Sequence, residues 1–228
     1  MKHSIPLQQH DAHLDHLSAE VSKGKLDLIV LRYLARRLHL ILRQLDSPTT
    51  QREPLIYLLP ERRGRIHRAV IYKYQELSLE RRFTFVGFVS RKQKNLCSSV
   101  KRDVQMVDQK LIKDLVGSPG ILSYSSLELR NGDWSNLVVM SDANAKAQIK
   151  GTLTHAYAAY QLAHRYYEWI RLHNGILAEG LDHTEMLLQR TKYYTFQETQ
   201  PRPTLFERTY ETHFLGRPAL SRAEYVYS

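Results

Sequence analysis

The sequence predicts an α+β fold, and three observations carry that prediction. Segments rich in β-branched and aromatic residues recur at 66–74, 81–90, 121–130 and 134–140, each bounded by turn-forming or charged residues. Two longer segments, 98–117 and 141–175, keep apolar residues at helical spacing. Between residues 81 and 196 the two signals interleave as strand, helix, strand, strand, helix, strand.

The first strand of that series, R-R-F-T-F-V-G-F-V-S, puts Phe83, Phe85, Gly87 and Val89 on one face. The helix at 98–117 repeats Val100, Val104, Val107, Leu111 and Leu115; Ser98 or Ser99 caps it and Gly117-Ser118-Pro119-Gly120 stops it. In the strand 121–130 the apolar phase slips between Tyr124 and Leu127, which predicts a bulge near Ser125 and Ser126. Asn131-Gly132-Asp133 turns the chain into the strand 134–140. Residues 141–175 are the longest helical signal. Leu162, Tyr166, Ala159, Ile170 and Trp169 share one arc, and Gln161, Glu168, Arg171 and Arg165 the other. Ser141 caps this helix, Gly151-Thr152 predicts an interruption, and Asn174-Gly175 reads as its left-handed stop. The strand 185–196, E-M-L-L-Q-R-T-K-Y-Y-T-F, closes the series. This β-α-β-β-α-β order is the ferredoxin-like arrangement, a four-stranded antiparallel sheet with both helices on one face. The other face then needs a cover: the N-terminal helices, a second subunit or a nucleic acid.

Residues 1–80 read as a basic helical and hairpin extension. Residues 25–46 form an amphipathic helix with Leu26, Ile29/Val30, Tyr33/Leu34, Leu38, Ile41/Leu42 and Leu45 in its apolar stripe. Ser47 to Thr50 is a loop, and L-I-Y-L-L at 55–59 is a short apolar run. E-R-R-G-R-I-H-R then makes a basic turn around Gly64. Residues 197–228, with Pro201, Pro203, Pro218 and scattered aromatics, read as an extended C-terminal arm packed on its own body or on a partner.

The net charge of +10 is unevenly placed. Residues 1–104 hold 20 Lys/Arg against 10 Asp/Glu, whereas residues 105–228 hold 13 of each. Such asymmetry points to an anionic partner: nucleic acid, a membrane surface or an acidic protein. No apolar run approaches the roughly 20 residues of a membrane span. The N-terminus shows no secretory apolar region, and the single cysteine, Cys97, excludes an intramolecular disulfide. A cytoplasmic location is the expectation.

Arg62, Arg63, Arg65 and Arg68 are candidate anion-binding residues, although the turn lacks the glycines of a phosphate-cradling loop. His10, His13 and His16 follow H-x-x-H-x-x-H spacing, which on a helix brings two rings together; a polar helix face is the plainer reading. No metal site is expected. His155, His164 and His173 are spaced nine apart, so His155 and His173 share the apolar arc and His164 opposes them. A histidine on an apolar face serves as a ligand or an acid/base, or as a core group bonded to a carbonyl.

The element order, Trp134 opening the third strand, His155 followed by Tyr166, Tyr167 and Arg171, and the closing R-T-K-Y-Y-T-F strand resemble the dimeric α/β-barrel superfamily, antibiotic-biosynthesis-monooxygenase-like proteins included, over about residues 81–196. The resemblance implies a homodimer closed through its sheets, with a pocket between sheet and helices for a small apolar molecule or a haem. His155 would then be ligand or acid/base, Trp134 and Tyr166 the walls, and Asn136 a polar contact. Two other readings stand beside it. One is a basic ferredoxin-like nucleic-acid-binding protein acting through residues 1–104, although R-R-F-T-F-V-G-F-V lacks the RNA-recognition pattern. The other is a non-catalytic dimeric scaffold.

Overall fold

The structure, a computed structural model, describes residues 8–45, 53–79, 82–129, 132–182, 185–197, 202–210 and 223–225. It is an α+β fold built on one antiparallel sheet. The strands are β1 (Leu55–Pro60), β2 (Ile66–Ile71), β3 (Phe83–Lys92), β4 (Ile121–Glu128), β5 (Trp134–Met140), β6 (Tyr167–Leu177), β7 (Met186–Thr195), β8 (Thr204–Thr209) and β9 (Ala223–Tyr225). Their order across the sheet is β1-β2-β4-β5-β3-β6-β7-β8-β9. The helices are α1 (Gln8–Gln44), α2 (Tyr74–Leu79), α3 (Ser98–Val116), α4 (Ala145–Lys150), α5 (Leu153–Tyr157) and α6 (Ala163–Tyr166). A π-helical turn, Ala158–Leu162, joins α5 to α6. No helix among the described residues is long and apolar enough to cross a membrane.

Both faces of the sheet are covered. On one, α1 sets Leu31, Leu34, Ala35, Leu38, Ile41 and Leu42 against Ala69, Ile71, Phe83, Phe85, Leu122, Leu137, Val139 and Leu177. On the other, Leu115 of α3 and Ala145 of α4 meet Val70, Ile121 and Met140, while Val100, Leu162 and Tyr166 close a second cluster. Gly24 of α1 lies near Tyr193 of β7, Asp27 bonds His173 of β6, Leu31 lies on Gly87 of β3, and the Leu45 carbonyl just beyond the helix accepts from Tyr74 at the start of α2, just beyond β2. From Gly24 to Leu45 the chain runs about 31 Å and crosses five strand spacings, about 24 Å, so it lies diagonally over the strands. A Cβ on Gly87 would fall 2.3 Å from Leu31 Cδ1, so glycine is what lets α1 seat here.

Three expectations are corrected by this architecture. Residues 141–175 are not one helix. The chain does break after Lys150, and Thr152 Oγ1 accepts from His155 N at 3.2 Å to start α5. From Tyr167 onward it becomes β6, paired with β3 on one side and β7 on the other. Tyr167, Trp169, Arg171 and His173 also alternate at strand period, and two ladders of backbone hydrogen bonds outweigh a helical arc without a partner. β6, not the 185–196 segment, therefore sits beside the first strand of the series; β7 lies one place further out. The bulge of β4 falls between Ile121 and Ser123 rather than at Ser125 and Ser126. Both faces of β4 are buried, so Tyr124 packs under α3 and Leu127 under α1 with no slip in the strand.

The expected stripe of α1 is buried from Leu34 through Leu38, Ile41 and Leu42, and departs from its phase only at the N-terminal end. Leu26 and Ile29 are 63% and 61% exposed, and the buried seam runs through Asp27, Leu31, Leu34, Leu38 and Ile41. Of the three covers offered for the open sheet face, the N-terminal helix α1 is the one that lies on it. Strands β1, β2, β8 and β9 join the same sheet as the central strands, so the N-terminal extension and part of the arm are sheet edges. The histidines at 10, 13 and 16, the Ser47–Thr50 loop, Asn131 and residues 211–222 lie outside the residues whose side chains or structure are described.

Candidate functional site

The cleft of interest lies where the β1–β2 turn meets the β4–β5 hairpin. Arg63, Gly64, Arg65, Ile66, Glu128, Leu129, Gly132 and Trp134 line about 440 Å³. The β1–β2 turn is a short 3-10 turn at Arg62–Gly64, closed by Glu61 N donating to the Arg65 carbonyl at 2.8 Å. Its base is tied to α1: Tyr33 donates to Glu61 Oε1 at 2.6 Å, and Arg37 lies 3.6 Å from the same oxygen. Arg63 has φ 67° and ψ 35°, and is the one described non-glycine residue with positive φ. A side chain in that region costs on the order of 1 kcal/mol. Gly64, φ 71°, takes the same region freely.

The charge of the cleft is not cancelled by its surroundings. Among the described residues neither Arg63 nor Arg65 makes an ion pair; Arg65 Nε donates only to the Arg62 carbonyl, at 3.2 Å. Arg62 and Arg63 are exposed. Glu128 brings one carboxylate and is shared with Lys92 at 3.6 Å. Beneath the turn His67 is fully buried, its ring 6.5 Å from that of Tyr33, with no hydrogen-bond partner among the described residues for either nitrogen. Burial drives its pKa down to about 4, so the ring is neutral near pH 7. Positive charge thus stands at the surface of the turn and is excluded from its floor.

Of the anion-binding candidates, the cleft brings together Arg63 and Arg65, with Arg62 at its rim. Arg68 is elsewhere. Its side chain points to the α3 face, where Nη2 donates to Asp108 at 2.8 and 2.9 Å and Tyr124 donates to the same carboxylate at 3.3 Å. That arginine is consumed in clamping α3 to the sheet.

The expected pocket residues divide differently. Trp134 and Tyr166 lie in one packed cluster with Val100 and Leu162. Trp134 is half-buried, so one part of its ring packs inward and another lines the cleft. Asn136 is on the same face of β5 as Trp134, with a buried Oδ1 that lacks a partner among the described residues. His155 is separate. It is half-buried on α5, and burial together with Lys150 holds its pKa below the usual histidine value. Lys150 acts on His155, while Trp134 and Tyr166 belong to the cluster under α3. Cys97 is exposed, its Sγ 3.0 Å from Ser99 Oγ.

The sequence reading missed the most heavily bonded polar cluster. Asp27 Oδ2 lies 2.5 Å from Arg171 Nε and 2.9 Å from His173 Nε2, and Oδ1 lies 2.8 Å from Arg171 Nη2. His173 Nδ1 is 3.0 Å from Thr191 Oγ1. Burial pushes the Asp27 carboxyl up, yet the bonds from His173 and Arg171 outweigh it and hold the pKa below the usual carboxylate value. An ionised Asp27 accepts from both partners. Arg171 also stacks 3.9 Å over the ring of Trp169. Asp27, His173 and Thr191 are all buried, so the cluster is an anchor for α1 rather than a place where substrate enters. Its only sequence signal was an acidic residue inside an apolar helical run, and its partners lie 144 and 146 residues away.

No family model, curated protein or solved structure matches the chain.

Proposed function

We propose that the chain binds single-stranded nucleic acid through the β1–β2 turn and the β4–β5 hairpin. The observation that carries this reading is the cleft in which Arg63 and Arg65, without an ion pair among the described residues, share a lining with Trp134. Cations neutralise phosphate and release counterions, and an aromatic ring offers a stacking platform to any base. The excess of 20 Lys/Arg over 10 Asp/Glu in residues 1–104 favours the same partner, because that half supplies the turn. A left-handed arginine kept at the tip is the kind of local strain that collects at functional sites.

On this reading β3, α3, β4, β5, the helical segment α4–α6 and β6 are a ferredoxin-like module, with strands in the order β4-β5-β3-β6. RNA-recognition modules stack bases on an open sheet face. Here α1 covers one face and buries Phe83 and Phe85, so recognition moves to the end of the sheet. That accounts for a first strand without the recognition pattern.

The test is fluorescence anisotropy of a labelled oligouridine of about 15 nucleotides across a salt series. Replacing Arg63 and Arg65 by alanine together is expected to weaken binding at least tenfold and to flatten the log–log salt slope by about 1.4, roughly 0.7 per lost phosphate contact. Trp134→Leu should cost about tenfold, with Trp134→Phe retaining most affinity. Binding that ignores salt and both arginines would sink the proposal. A second reading, a pocket for a small anionic molecule, is favoured by the cleft's 440 Å³, which lies within the range of about 300–1,000 Å³ for ligand sites. A mononucleotide that binds as tightly as the oligonucleotide decides for it.

A further inference from the structure

A second cationic centre lies away from the cleft, over β6, β7 and β8. Lys146 of α4 reaches down to β6 and its ammonium donates to Asn174 Oδ1. That bond assigns Oδ1 as the acceptor and leaves Asn174 Nδ2 a buried donor with no partner among the described residues. The sheet is irregular here, with a register shift in the β6–β7 pairing between Asn174 and Gly175, next to Arg190. Bulges of this kind re-aim side chains. Burial, and after it the charges of Lys150 of α4 and of Arg190 and Lys192 of β7, lower the pKa of Lys146 to about 8.

The charges do not balance. Among the described residues Glu207 of β8 is the carboxylate seen to act on Lys146, and it is already shared, 3.2 Å from Arg190 and 3.0 Å from Lys192. Like charges gathered around a half-buried ammonium repel one another, and an anion of high charge removes that repulsion. The unpartnered amide N–H supplies a neutral donor in the same place.

We propose that Lys146, Lys150, Arg190, Lys192 and Asn174 Nδ2 form a binding site for a phosphate group, as free phosphate or as a phosphate monoester. The site stands independently of the nucleic-acid reading. Asn174 is four residues along β6 from Ile170, the residue level with Trp134 through Ser90, which is about 13 Å at strand rise.

Isothermal titration at constant ionic strength tests it, with inorganic phosphate and glycerol 3-phosphate as the two probes and chloride as the matched control. Saturable binding is expected for at least one of them. Tighter inorganic phosphate identifies a free anion and tighter glycerol phosphate an ester, and both support the site. Lys146→Gln should weaken binding about tenfold, and Lys192→Gln several-fold. The latter carries the test if Lys146→Gln fails to fold. In the Arg63 and Arg65 alanine variant, which lacks the cleft's own cations, saturable binding of at least one probe should persist and should still be weakened by Lys192→Gln. No saturable binding of either probe, or equal affinity in the parent and Lys192→Gln, overturns the proposal.

Discussion

Arg171 and Arg63 stand on the same sheet in opposite conditions. Arg171 is nearly buried, gives two hydrogen bonds to Asp27 and stacks on Trp169. Arg63 is exposed, unpaired among the described residues, and held on a left-handed backbone. The first cation has every partner it needs, and its work is to fix α1 over β6. The second has no ion pair among the described residues and sits on a left-handed backbone. Where a cation is satisfied the residue is architecture; where it is left open at the rim of a cleft it is available to a ligand.

The contrast breaks most visibly at Asp27. Asp27→Ala leaves Arg171 buried without its counter-charge, which should cost about 3–5 kcal/mol, read as a lower urea midpoint. Replacing Asp27 and Arg171 together by Leu and Met should recover most of that loss, since a desolvated ion pair and a packed apolar pair are of similar worth. A loss below about 1 kcal/mol in Asp27→Ala would mean that the pair is not a buried one.

His67 sharpens the comparison, because it is a buried polar group under the basic turn with no hydrogen-bond partner among the described residues. Its folded pKa is about 4 against 6.5 for the free side chain. The folded state therefore resists protonation that the unfolded chain accepts. Stability present above pH 6.5 is lost as pH falls towards 4, by on the order of 3 kcal/mol. His67→Leu should remove that part of the acid sensitivity, seen in unfolding curves at pH 7 and pH 5. An unchanged pH slope would place the ring in water.

The seating of α1 is tested at Gly87. Gly87→Ala drives a methyl into Leu31 and should cost about 1–3 kcal/mol. The smallest effect is at the turn itself. Arg63→Gly relieves the left-handed strain and should stabilise the protein by about 1 kcal/mol, while weakening oligonucleotide binding several-fold. A variant that is both more stable and fully active would separate the strain from the function.

How much of this was legible depends on the range of the interactions. The strands β3 and β5 and the helix α3 were readable because each is specified by its own residues. Phe83, Phe85 and Val89 alternate, Val100 and Leu115 keep the helical period, and Gly117 to Gly120 end it. The basic turn was readable for the same reason, and Arg63 and Arg65 were found from composition alone. Their meeting with Trp134 was not, since nothing in either segment says that the β1–β2 turn lies beside the β4–β5 hairpin.

The sequence by itself determined the element types over most of the chain, the uneven charge and the cationic turn, all of which follow from near neighbours. Only the tertiary structure decided that Tyr167 to Leu177 is a strand. That stretch carries helical and alternating patterns at once, and pairing with β3 and β7 selects between them. The same holds for α1, which is apolar over most of its circumference. Its phase was settled by Asp27 finding Arg171 and His173, and by Leu31 finding the bare backbone of Gly87. Both choices rest on partners far away in the chain, and a local pattern holds no information about where such a partner will be.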